Sequence, residues 1–104
     1  HVSGLGDVYK RQAFIYLYAQ AFVEYAKSVD IDETVARDLF AKSLIGSAKM
    51  ITDSGKSLDE LIEMVSSKGG TTIAGLEKLR EGGLPKAVED CCKACTKRAY
   101  ELSK

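Results

Sequence analysis

The sequence predicts an all-α domain, a helical bundle of about five helices. Two features carry that reading. Apolar residues recur at helical spacing, and no stretch alternates apolar and polar for long. The single proline, Pro85, and the paired glycines fall where helices should start or stop. A third feature bounds the size. The chain has 104 residues, 45% hydrophobic and 29% charged, which suits one small domain that its own core stabilises only marginally.

Residues 1–12 differ in character from the rest of the chain. Asp7-Val8-Tyr9-Lys10-Arg11-Gln12 back-translates to GAT GTG TAT AAG AGA CAG, a string resembling the mosaic-end adapter of transposase-made sequencing libraries. Gly4-Leu5-Gly6 suits the same frame. The segment is read as a non-native leader fused to a domain spanning 13–104; a flexible native N-terminus is the alternative. Gly4-Leu5-Gly6 does not make a phosphate loop, because no strand precedes it and the full motif is missing.

The first predicted helix, 13–28, carries Phe14, Ile15, Tyr16, Leu17, Tyr18, Phe22 and Tyr25, with Gln20 and Glu24 as its polar breaks up to Tyr25. A helix apolar nearly all round must be buried nearly all round. A chain of this length offers too little cover, so a second subunit is expected. The tyrosines are read as buried in that interface rather than stacked on a base or cofactor.

The second helix, 33–54, starts at Asp32 as N-cap with Glu33 in its first turn. Ala36, Phe40, Leu44, Ala48 and Ile51 form its apolar stripe, Gly46-Ser47-Ala48 permit close helix approach, and Gly55 stops it. The third opens on a Ser57/Glu60 capping box, with Leu58, Leu61, Ile62 and Val65 on its apolar face. The fourth covers 73–81, capped by Thr71 or Thr72 and ended by Gly82-Gly83. The fifth holds Pro85 in its first turn and runs to about Leu102.

Charge and cysteines exclude several function classes. Fifteen basic and 15 acidic residues cancel, so there is no positive field for nucleic acid or an anionic membrane. The longest apolar run, 13–23, falls short of the roughly 20 residues that span a bilayer. Cys91, Cys92 and Cys95 fall near one face of the fifth helix; their odd count and close spacing fit a reducing cytoplasm better than a secreted disulfide framework. Zinc needs four ligands, and the one histidine, His1, lies in the leader. A redox Cys-x-x-Cys sits at a helix start, not mid-helix. The cysteines are therefore read as small packing residues, and no metal site is assigned.

The segment with chemical potential is Ser66-Ser67-Lys68-Gly69-Gly70-Thr71-Thr72-Ile73. Paired glycines allow close backbone approach, and a helix starting directly after them presents bare amides and the positive end of its dipole. The residues alone leave two readings open: a simple turn with a capped helix start, or an anion site suited to a carboxylate.

The stretch from Val65 to Leu76 resembles the signature of pyrroline-5-carboxylate reductases. Gly46-Ser47-Ala48-Lys49-Met50, Glu81-Gly82-Gly83-Leu84 and Lys97-Arg98 with Glu101-Leu102 fall at that family's spacing. The first helix resembles the aromatic-rich helix opening its dimerisation domain. The resemblance implies a C-terminal piece of an enzyme that reduces 1-pyrroline-5-carboxylate to L-proline with NADPH or NADH. It implies a preceding Rossmann domain that holds the nucleotide, so this piece binds no cofactor and is inactive alone. It further implies an interlocked homodimer, assembling further into larger rings in some members. Ser67, Gly69, Gly70 and Thr71 would hold the substrate carboxylate, and Thr72 would orient the ring nitrogen as the catalytic position. Lys68 departs from the family, which usually has proline there, replacing a rigid φ with a cation. The alternative is a non-catalytic helical dimerisation module of a related reductase, which has no need of the Gly69-Gly70-Thr71-Thr72 loop.

Overall fold

The computed structural model describes residues 8–66 and 69–103, with side chains from Arg11 onward. Among the described residues there are five α-helices and no strand: α1 (Val8–Ser28), α2 (Glu33–Asp53), α3 (Leu58–Ser66), α4 (Gly70–Glu81) and α5 (Leu84–Leu102). The all-α expectation is met. α1 begins at Val8 rather than near Ala13. Val8–Gln12 holds no glycine or proline, so a helix nucleated downstream extends through it at little cost.

The chain forms two compact units, one of residues 15–68 and one in which the chain up to Phe14 joins residues 69–104. In the first unit α1 ends in a Schellman closure. Ile31 N–H donates to Ala26 C=O (2.9 Å) and Asp30 N–H to Lys27 C=O (3.1 Å), with Asp30 left-handed at φ 67°. Aspartate tolerates that conformation better than most residues with a Cβ.

Asp32 caps α2 as expected, its Oδ2 accepting from Thr34 N (3.0 Å) and Val35 N (3.3 Å). Phe40 on α2 meets Phe22 and Tyr18 of α1, with ring centroids 5.1 and 5.9 Å away. Val23 and Ala36 are the buried apolar residues of this unit. α2 is C-capped by Ser54, Gly55 turns the chain at φ 73°, and the α3 box forms in both directions. Ser57 N–H donates to Glu60 Oε1 (2.7 Å), and Glu60 N–H to Ser57 Oγ (3.1 Å).

In the second unit α4 and α5 make a helical hairpin through Gly82-Gly83. Gly83, at φ 86°, is the N-cap of α5 with Pro85 in the first turn. That φ favours glycine, because a Cβ there is strained. No described residue of α4 or α5 is buried.

The apolar surface is mostly open. Leu17 and Tyr25 of α1 are 67% and 68% exposed, and Leu39 and Ile45 of α2 are exposed too. The far part of the α2 stripe stays uncovered, with Ile51 exposed. A Cβ built on Gly46 would meet no atom within 4 Å, so no close helix approach is made there among the described residues. No helix among the described residues is long and apolar enough to cross a membrane.

Candidate functional site

The site is the start of α4. Gly69 is its N-cap, extended at φ −118° and ψ 90°, and, having no side chain, makes no cap hydrogen bond. This corrects the expectation of a threonine cap. Glycine is only a few tenths of a kcal/mol poorer at an N-cap than the hydroxyl residues, so the helix runs back through Thr71 and Thr72 to Gly70. The two threonines occupy the second and third helical positions.

The first intrahelical bond runs from Ile73 N–H to Gly69 C=O (3.0 Å). The N–H groups of Gly70, Thr71 and Thr72 have no acceptor among the described residues. They stand at the positive end of a 12-residue helix. The first turn of α4 holds no acidic residue, whereas α2 has Glu33 and α3 has Asp59 and Glu60. No carboxylate of α4's own first turn neutralises the site.

Thr71 and Thr72 are exposed, and neither hydroxyl has a hydrogen-bond partner among the described residues. A Cβ built on Gly70 meets nothing within 4 Å among the described residues. The structure therefore gathers Gly69, Gly70, Thr71 and Thr72 at one helix end. Ser67 and Lys68 lie outside the described residues. Just before them Ser66 is buried, its hydroxyl donating to Ile62 C=O (2.6 Å). The sequence marks Ser66 only as a helix end, and a serine in a last helical turn gives no further signal.

Two other features flank this picture. Open grooves lie on either side of the α1–α2 contact, one lined by Tyr16, Gln20 and Arg37, the other by Tyr25, Ile31 and Leu39. On α5 the three cysteines are free and half-buried. Burial pushes the Cys91 thiol above its ordinary pKa, and Cys95 and then Cys92 push it further. Among the described residues no group of three or more His, Cys, Asp or Glu is placed to hold a metal ion.

The chain as a whole is similar to proteins of one family. The family profile described as pyrroline-5-carboxylate reductase dimerisation matches residues 10–102. The chain is 37% identical over 90 residues to pyrroline-5-carboxylate reductase 3 of Danio rerio, covering 86% of this chain and 31% of that protein. It is 36% identical over 91 residues to pyrroline-5-carboxylate reductase of Pisum sativum, covering 88% and 33%. Against pyrroline-5-carboxylate reductase 2 of Bacillus subtilis it is 32% identical over 90 residues, covering 86% and 32%. The chain thus spans about a third of the length of these relatives.

Proposed function

This chain belongs to the pyrroline-5-carboxylate reductase dimerisation family, and on that premise we propose that it supplies the subunit interface and substrate-carboxylate loop of an enzyme reducing 1-pyrroline-5-carboxylate to L-proline. The observation that carries the proposal is the start of α4. Three adjacent amides, from Gly70, Thr71 and Thr72, are left without acceptors among the described residues, and no acidic side chain shares their turn. A carboxylate is the ligand such an end suits, since it takes several N–H donors and the favourable end of the dipole together.

The roles follow from the chemistry. Gly69, Gly70 and Thr71, with Ser67 from the adjoining loop, hold the carboxylate. Thr72, one residue further into the helix, orients the ring nitrogen with its hydroxyl. The imine carbon becomes electrophilic once that nitrogen is protonated. A threonine hydroxyl is a poor free acid, so Thr72 acts by holding the nitrogen and a proton-carrying water in line.

The nucleotide, NADPH or NADH, supplies the hydride in the whole protein. The described residues do not fit it: they contain no strand leading through a glycine-rich turn into a helix. The nucleotide site is therefore assigned to the part of the enzyme outside this chain, and the chain alone is proposed to be inactive.

The interface proposal rests on the exposure of α1. Leu17, Tyr25 and Tyr16 form an apolar surface that the chain's own helices leave open, and a second copy of α1 and α2 is its natural cover. Homodimers, and larger rings built from them, follow. The free cysteines accord with a reducing cytoplasm, and residues 1–12 are assigned as a non-native leader. Resequencing the source DNA with another library chemistry tests the leader; recovery of the same codons refutes it.

Calorimetric titration of L-proline into the chain, with light scattering on the same sample, tests the function. Saturable one-to-one binding to a dimer is expected, and Thr72→Ala should weaken it by about 1 kcal/mol, the worth of one hydrogen bond. A folded dimer that ignores proline refutes the loop assignment. A stable monomer refutes the interface.

A further inference from the structure

We propose that Cys91 and Cys95 form a two-thiol site for a mono-organic trivalent arsenical, a thiophilic centre that exchanges two oxygen ligands for two sulfurs. The placement comes from the helix. α5 runs unbroken from Leu84 to Leu102, so residues four apart are surface neighbours, with Cβ atoms roughly 5–6 Å from each other. Both thiols are free and half-buried.

Cys95, not Cys92, is the cysteine hydrogen-bonded to Cys91, and Cys92 stands at the edge of the same face. It lines a shallow hollow with Thr96, Lys97 and Tyr100, which Cys91 and Cys95 do not border. Lys93 is engaged by Glu89 at 2.8 Å, so the cation nearest in sequence is already paired. The described residues offer no cluster of three or more metal ligands. A ligand satisfied by two sulfurs is what this stripe accommodates, and trivalent arsenic carrying one organic group requires two.

The step balances without any other reactant. Two As–O bonds break and two As–S bonds form. The two thiol protons leave with the oxygens as water, and arsenic stays trivalent. Burial holds the Cys91 thiol above its ordinary pKa, which makes this cysteine slow toward reagents that react with single thiolates.

Phenylarsine oxide and intact-protein mass spectrometry of the whole chain test the site. One phenylarsenic unit per chain, less two hydrogens, should be retained against excess monothiol and released by a dithiol. Cys91→Ser and Cys95→Ser should each lose that retention, and Cys92→Ser should keep it; the alanine variants repeat the comparison. Four outcomes overturn the proposal: no adduct, retention in Cys91→Ser or Cys95→Ser, loss in Cys92→Ser, or an adduct found only between two chains.

Discussion

The starts of α3 and α4 solve the same problem in opposite ways. At α3, Ser57 and Glu60 bond each other's backbone, and Asp59 and Glu60 bring negative charge to the first turn. At α4, Gly69 offers no side chain, and the first turn has no acid. An N-cap contributes about 1 kcal/mol, a sizeable share of what a small domain possesses. A helix that forgoes it keeps its donors available. The difference teaches where this chain invests in stability and where it leaves room for a ligand.

The largest effect should come from filling the space before α4. Gly70→Val places one carbon bearing two methyl groups where a Cβ now meets no atom within 4 Å. Carboxylate binding should fall by about 2 kcal/mol or more, roughly 30-fold, because hydrogen bonds to a charged group are lost. Thermal stability should hold, since replacing glycine also reduces the freedom of the unfolded chain. Calorimetry with proline beside a melting curve separates the two, and unchanged binding would show that the open amides hold nothing. The mirror experiment is Ser57→Ala. It should lower stability by about 1 kcal/mol and leave proline binding where it was. If binding fell too, the two helix starts would not be independent.

A third change converts one start into the other. Gly69 sits at φ −118° and ψ 90°, which aspartate adopts without strain. Gly69→Asp should act as an N-cap and dipole partner, adding about 0.5–1 kcal/mol of stability. Its carboxylate would then occupy the amides, so proline binding should weaken as stability rises. Denaturant midpoints and calorimetry on one preparation measure both. Binding and stability rising together would refute the reading of α4 as an end left open for an anion.

That contrast also explains what the sequence could convey. Asp32 and the Ser57/Glu60 box announce their caps by side chains, and both form as expected. Gly69 caps with its backbone alone, so the pattern points to the threonines, whose hydroxyls resemble caps but lie inside the first turn. The closure of α1 is hidden for a related reason: Asp30 takes a left-handed φ that glycine normally signals. The need of α1 for cover is legible, because seven large apolar side chains on one helix exceed what the rest of the chain can bury. Ser67 and Lys68, half of the loop's polar character, lie outside the described residues, so that part of the site stands on resemblance.

The smallest effect concerns the first turn of α2, which lies between these two extremes. Asp32 already serves its amides, so Glu33 is free to reach back to Lys27, whose Nζ lies 3.3 Å from Glu33 Oε1 and 3.7 Å from Glu24 Oε2. The hydrogen bond from Lys27 to Glu33, and then the charge of Glu24, raise the pKa of Lys27 above its ordinary value. A folded-state pKa above the unfolded one means the contribution is whole below the ordinary lysine value of about 10.4. It fades as pH rises through the raised value. Both partners are exposed, so the effect is small and weakens with salt. Melting temperatures of the native chain and of Lys27→Met, compared from neutral pH upward at low salt, should differ by a constant amount at first and converge above the ordinary lysine value. Curves that stay parallel through that range would mean the ammonium contributes nothing, and that the link between α1 and α2 rests on apolar contacts such as those of Phe22, Phe40 and Tyr18.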